Sequence, residues 1–380
     1  MDININRERL AEQFKTLCEI SSPSKEEKPV AEYLKKVFKD LGAEFSFEDD
    51  SAGKTGSNSG NLIFRFKGNK NNVPIFFACH MDTVKPGHGV AVDRHGDIFT
   101  SRGDTILGGD DKSGIAPLIE MIRLFKENNA SHRTLELVFT TCEEIGLRGA
   151  KALDYNQLQA QSGYALDSTG IDKVIIGAPA ANRIRIDVHG TAAHAGINPE
   201  AGVNAFVVAA GAITRLKLGR IDEESTANIG IMKGGVATNI VPKLVTLKGE
   251  IRSHSMDKLR HYTDEIKTVF LDTIAGWPVS DVPNYKPPTV DLKVESEYPA
   301  MRLAETDTVV DTVKQAGLAL GRELSFIIAG GGSDANIYNG YGLPTTIIAT
   351  GMTDVHTTDE SLDLNNMVKL TELVYTIACM

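Results

Sequence analysis

His80, Asp110, Glu143, Glu144, Asp167 and His356 are spread over most of a 380-residue chain, yet each sits where a hydrophobic, strand-like run gives way to a turn. In an open α/β sheet the carboxyl ends of the strands face one crevice, so residues remote in sequence can meet there. Two imidazoles and several carboxylates make a mixed hard and borderline ligand set, suited to Zn²⁺, Co²⁺ or Mn²⁺. The set exceeds what one hydrolytic ion requires and points to two, about 3.5 to 4 Å apart, joined by a carboxylate and a water. A metal-dependent hydrolase is the leading reading.

Each motif also has a plainer explanation. His80 and Asp82 are two apart at a strand end, so extended geometry turns both to one side. A metal-bound His commonly gives its other N–H to a carboxylate; the alternative is a solvated His and Asp. Gly108-Gly109-Asp110-Asp111 precedes an apolar helix. Its glycines permit the tight turn that brings a carboxylate inward, whereas helix capping explains one aspartate more easily than two. Glu143 and Glu144 follow the run Leu135 to Thr141. Adjacent carboxylates repel unless a cation or a shared proton relieves them. A cation also divides their labour: one Glu binds metal while its neighbour accepts a proton from water. A solvated acidic turn is the commoner case for such a pair alone, and Asp167 and His356 are singly more often structural.

The elements that must position these residues are legible as periodicities. Helices are expected over Arg7 to Ile20 and Lys25 to Leu41, the second opened by a capping box from Ser24 to Glu27. Leu62, Phe64 and Phe66 alternate as in a half-buried strand, and Val73 to Cys79 is continuously apolar, as in a central strand. A helix at Ser113 to Phe125 and strands at Thr134 to Thr141 and Gly163 to Leu166 complete a mostly parallel sheet flanked by helices. Between Asn182 and Tyr298 the rhythm changes: strand 184–188, helix 203–218, strands 227–232 and 244–251, helix 256–274, strand 290–294. This βαββαβ order predicts an inserted ferredoxin-like α+β domain. Helix 309–320, strands 325–328 and 345–349 and helix 367–377 return to the first domain. The expected class is α/β, with one domain over 1–181 and 299–380 and the other over 182–298.

Composition narrows the partners. A net charge of -10 without a basic block opposes nucleic-acid binding. The segment from Met1 to Glu8 lacks the basic patch and apolar core of a secretory leader, and no run approaches a membrane span. A cytoplasmic protein without a membrane partner is expected. Cys18, Cys79, Cys142 and Cys379 form no CxxC pair, which opposes a zinc knuckle or disulfide framework. Cys79 and Cys142 read as small apolar strand filler.

The strings CHMDTV, GGDDKSG, TCEEIGLRGA, YALDS, HGTAAHAG and GGGSDANIY, in that order, resemble the M20 family of dinuclear zinc exopeptidases, and within it the peptidase T branch of tripeptide aminopeptidases. The resemblance covers nearly the whole chain. It implies a zinc-exopeptidase-type sheet with an inserted lid and dimerisation domain. It further implies that His80 and Asp167 bind one metal, Glu144 and His356 the other, and that Asp110 bridges them. Asp82 would stand behind His80. Glu143 would be the general base, deprotonating a bridging water whose hydroxide attacks the scissile carbonyl, then passing the proton to the departing amine.

In the inserted domain the resemblance implies that His194 contacts substrate or transition state, often across a homodimer, and that Asn239 and Arg252 form a peptide-binding pair. A bidentate clamp by Arg252 on a terminal carboxylate would favour exopeptidase action. Gly332 and Ser333, within Gly330 to Ser333, resemble the family's glycine-rich loop beside the site. Without the resemblance these residues read as an exposed loop, a strand end and a turn, and the glycines fit neither a Rossmann nor a Walker pattern. The implied cofactors are two divalent ions, zinc first, with cobalt or manganese as alternatives. The implied partners are a short peptide and a second copy of the chain.

GGGSDANIY stands where peptidase T carries Gly-Gly-Thr-Asp-Gly, and the approach to His356, GMTDVHTTDES, also departs from that branch. Both segments line the substrate side, so an M20-type dipeptidase or N-acyl-amino-acid deacylase stays open beside the tripeptide aminopeptidase. A non-catalytic metal- or peptide-binding protein is opposed by the retained Glu143. A two-metal phosphoesterase fits the ligand types but not the lid.

Overall fold

The strand Ile75–His80 is buried at every residue, as a run without polar alternation requires. It pairs in parallel with Leu135–Thr140 on one side and Gly163–Ala165 on the other, and Thr345–Ile348 extends the parallel centre. The computed structural model describes residues 3–283 and 285–380. Met1 and Asp2, at the start of the N-terminal segment read above, and Asn284, inside the range 182–298, lie outside the described residues.

Around this centre the pairing turns antiparallel: Leu62–Phe66 and Phe45–Glu48 on one flank, Lys173–Ala178 and Met301–Arg302 on the other. Ser325–Ile328 adds a parallel partner to Lys173–Ala178, giving nine strands among the described residues. Leu10 and Phe14 of helix Arg7–Glu19, Leu34 and Phe38 of Lys28–Asp40, Ile115 and Ile119 of Gly109–Asn128, and Leu370 and Val374 of Leu364–Cys379 share one core with Phe64, Phe77 and Phe139 of the sheet. The α/β class is the one expected.

Strand register explains the convergence of the site. His80 is the Cα partner of Thr140, and Ala78 that of Ala165. His80, Glu143 and Asp167 therefore leave the same edge of the sheet. A smaller antiparallel sheet, ordered Met352–Thr353, Ser361–Asp363, Ile98–Ser101, Val92–His95, closes the loop that carries His356.

Two local expectations are corrected. Ile63 is as buried as Leu62 and Phe64, so that strand is covered on both faces. The capping box is absent: Glu27 is the N-cap but makes no side-chain cap bond, and the helix begins at Lys28 with Pro29 in its first turn. Proline suits that position because its missing N–H has no intrahelical partner to lose.

The chain divides into two compact units, Met1–Ala178 with Met301–Met380, and Pro179–Ala300. The expected limits for the inserted domain were 182 and 298. In the second unit the strands order as Gly219–Arg220, Ser225–Gly234, Leu244–Ser253, Ala180–His189, Thr289–Tyr298, all antiparallel. Helices Ala205–Ile213 and Met256–Ala275 share a core with the sheet through Val208, Ala209, Leu247 and Phe270. This is a ferredoxin-like arrangement. The first of these helices starts later than expected because Val203 pairs with Thr191 as an isolated bridge, and Asn204 caps the helix by accepting from Phe206 N–H. No helix among the described residues is long and apolar enough to cross a membrane.

Candidate metal centre

His80 ends its strand with a buried ring held on both sides. Its Nε2 lies 2.9 Å from Asp110 Oδ1. Its Nδ1 lies 2.9 Å from the backbone carbonyl of Asp82 and 3.5 Å from that residue's Oδ1. The Asp82 carbonyl is thus the nearer acceptor for the ring N–H, with the carboxylate standing behind it. The carboxylate has other donors. Oδ1 accepts Glu143 N–H at 2.9 Å, and Oδ2 accepts Ser24 Oγ–H at 2.6 Å and Glu144 N–H at 3.3 Å. Burial opposes its charge, but the His80 ring and these donors hold its carboxyl below the ordinary value.

Asp110 stands between the two imidazoles. Gly108, at φ +77°, makes the turn into it, and Asp110 and Asp111 are non-helical at the start of Gly109–Asn128. The Asp110–Asp111 peptide is cis. Oδ1 faces His80, and Oδ2 lies 3.2 Å from Nε2 of His356. Burial opposes ionisation here too, yet the two rings together hold the Asp110 carboxyl well below its usual range. Asp111 does not cap the helix; its Oδ2 accepts the backbone N–H of His80 at 3.2 Å.

His356 sits at φ +65° on the loop between the two short strands, its ring half exposed, with Nε2 3.0 Å from Glu144 Oε1. The adjacent carboxylates, Asp110 first and then Glu144, raise its pKa to about 10. Burial, then the charge of Asp110, pushes the Asp167 carboxyl up to about 7. Burial likewise raises Glu143 and Glu144, with Asp167 adding to the first. These are carboxylates held close together at the expense of their charge, an arrangement a cation relieves.

Among the described residues three groups bring their donor atoms within 4.8 Å of one another: His80, Asp110 and Asp167; Asp110, Glu144 and His356; and His80, Glu143 and Glu144. The first two share Asp110. Glu144 Oε1 is buried and, although close to His356, makes no hydrogen bond of acceptable geometry among the described residues. An N/O donor set with a shared carboxylate and an orphaned oxygen fits a pair of divalent ions.

Several residues at this site escaped the sequence reading. Lys112 is buried and donates to Ser22 Oγ at 2.9 Å; Ser22 donates in turn to Met81 O at 2.8 Å, bracing the strand end. Glu27 accepts Cys142 N–H at 3.0 Å, so Cys142, at φ +54°, is part of the turn into Glu143 and not strand filler. Asp334 Oδ2 accepts Thr140 Oγ–H at 2.5 Å, while Oδ1 is buried without a partner among the described residues. Burial pushes the Asp334 carboxyl up to about 6. It lies inside GGGSDANIY, directly after Gly332 and Ser333. Ser333 caps the helix Asp334–Gly340 in a capping box with Asn336, and Gly332 is half-buried before it.

The remaining residues expected to bind substrate belong to the second unit. His194 is exposed, its Nδ1 accepting Gly196 N–H at 3.2 Å, and it bridges Ile240 in the backbone. Asn239 O accepts Ala195 N–H, so these two loops are joined. Arg252 lies on Leu244–Ser253 with its guanidinium 3.0 Å from Glu250.

The family model for Peptidase family M20/M25/M40 matches residues 76–379. The uncharacterized protein YqjE of Bacillus subtilis is 40% identical over 374 residues, covering 98% of each chain. Among solved structures, aminopeptidase PepT from Bacillus cereus is 41% identical with a TM-score of 0.89, covering 98% of each chain. A tripeptidase from Staphylococcus aureus is 34% identical with a TM-score of 0.92, covering 99% of this chain and 98% of its own.

Proposed function

The chain belongs to peptidase family M20/M25/M40 and is a metal-dependent exopeptidase, and from that premise we propose that it removes the N-terminal residue of short peptides, tripeptides first. The observation that carries the reading is Asp110, which faces His80 with one oxygen and His356 with the other, beside the pair Glu143 and Glu144. His80 and Asp167 would hold one ion and Glu144 and His356 the other, with Asp110 shared between them. Two divalent ions at such a site supply Lewis acidity toward the peptide carbonyl and lower the pKa of water.

The chain's own residues do the rest. Glu143, whose backbone Asp82 holds, takes the proton of the attacking water and returns it to the departing amine. Burial, with Asp167 beside it, raises its pKa, which makes it a stronger proton acceptor than an ordinary carboxylate. Asp82 fixes the His80 ring and the Glu143–Glu144 turn together. His194, Asn239, Arg252, Gly332 and Ser333 bind substrate, with Arg252 reading a terminal carboxylate. Support for tripeptides comes from the Staphylococcus aureus tripeptidase, similar over almost the whole chain. Zinc as the ion, a cytoplasmic location and a homodimer through the second unit complete the reading.

A panel of tripeptides, dipeptides and N-acylated amino acids, assayed before and after chelation and with each metal restored, tests it. Cleavage of free-amine tripeptides that stops on chelation and returns with zinc is expected. Activity confined to dipeptides or to acylated amino acids would replace the aminopeptidase reading with the corresponding alternative. Elemental analysis, cell fractionation and light scattering test the ion, the location and the dimer.

A further inference from the structure

Glu360 is 1% exposed, and its carboxylate turns back toward the segment that carries Asp110. Oε2 accepts Gly108 N–H at 2.9 Å and Oε1 accepts Asp110 N–H at 3.0 Å. The first N–H groups of a helix have no intrahelical acceptor, so these contacts would be unremarkable as capping alone. Two further observations give them more meaning.

The first is where Glu360 comes from. The pairing of Met352–Thr353 with Ser361–Asp363 closes the segment 354–360, which carries His356 and ends on Glu360. That one segment therefore grips Asp110 twice: His356 Nε2 lies 3.2 Å from its carboxylate, and Glu360 accepts its backbone N–H. The second is the shape of the turn. A Cβ added at Gly109 would lie 3.0 Å from Glu360 Oε1, so the turn is fitted around the carboxylate.

We propose that Glu360 is a positioning residue for Asp110: it fixes the carboxylate shared by the two ions and couples it to the His356 loop. The inference rests on the bridging role of Asp110 proposed above. Its loss weakens binding at the Asp110–Glu144–His356 group more than at the His80–Asp110–Asp167 group, because only the former draws a ligand from the Glu360 segment. Glu360→Gln keeps the side chain's size but turns an amide NH₂ toward one of two N–H donors.

The test is zinc titration of the metal-stripped, full-length protein against a chromophoric chelator, for wild type, Glu360→Gln, Gly109→Ala and Asp110→Asn, with thermal unfolding of each apoprotein. In Glu360→Gln one zinc step weakens by about 10- to 100-fold while the other stays within about threefold, the size expected when a residue behind a ligand is lost. Gly109→Ala, which displaces the carboxylate without removing it, weakens the same step to a smaller degree and serves if the glutamine variant does not fold. Both steps unchanged, or both weakened equally in proportion to lost apoprotein stability, would overturn the positioning role. Asp110→Asn separates the two claims: loss of zinc there with normal binding in Glu360→Gln defeats only this inference, whereas normal binding in Asp110→Asn defeats the bridge on which it rests.

Discussion

Asp82 Oδ1 accepts the backbone N–H of Glu143 at 2.9 Å, so the residue beneath one imidazole also holds the turn that presents the proposed base. The contact joins two strand ends that are neighbours in the sheet but 61 residues apart in sequence. One residue thus sets the mutual position of His80, chiefly through its carbonyl, and of Glu143 and Glu144, through its carboxylate.

Asp82→Asn should separate that dual role from simple folding. An amide offers one acceptor oxygen, so either the Glu143 N–H or the Glu144 N–H and Ser24 hydroxyl must face an NH₂. We expect kcat to fall by about 10- to 100-fold, with zinc affinity weakened in parallel, as for other residues that orient metal ligands. Steady-state kinetics at saturating zinc, together with chelator competition, checks this; unchanged values for both would show that the backbone contacts are dispensable.

Zinc binding should release protons. In the metal-free protein the Asp167 carboxyl is pushed up to about 7 and the His356 imidazole to about 10. Below about pH 7 both groups hold a proton, and each must lose it to become a ligand. Asp110, held low by the two rings, is already ionised and contributes none. Affinity should therefore rise with pH, steeply below about pH 7 where both protons must leave and less steeply from there to about pH 10 where only that of His356 must, with calorimetry in buffers of different ionisation enthalpy showing net proton release. Proton uptake would contradict the assignment of these ligands.

Gly114→Ala should destabilise the apoprotein although alanine is the better helix former. A Cβ there would lie 2.7 Å from Asp111 Oδ1 and 2.8 Å from both Cys79 Sγ and the Leu166 carbonyl. Helix propensity favours alanine by about 1 kcal/mol, whereas overpacking costs about 1 to 3 kcal/mol, so a net loss is expected. Urea denaturation of the metal-free variant checks it; a gain in stability would mean that the helix can move away from the strand ends.

The positions of His80, Glu143 and Asp167 were legible because parallel central strands are continuously apolar and stop abruptly where the site begins. The inserted domain was legible because its alternation of strand and helix differs from that of its flanks. Glu360, Lys112 and Glu27 were not, because each acts on backbone or hydroxyl groups distant in sequence, a kind of contact that leaves no periodicity. The false capping box shows the same limit from the other side. Ser24 and Glu27 have the right spacing, but Ser24 donates to Asp82 and Glu27 accepts from Cys142, so partners supplied by the strand ends displaced the local ones.

The most direct test of the account is Glu143→Gln, measured in one preparation for bound zinc and for tripeptide hydrolysis. The account predicts that both ions remain while kcat/KM falls by at least about 100-fold, the lower end of what general-base catalysis supplies. Turnover within a few-fold of wild type, or hydrolysis that persists after a chelator has removed the metal, would contradict it.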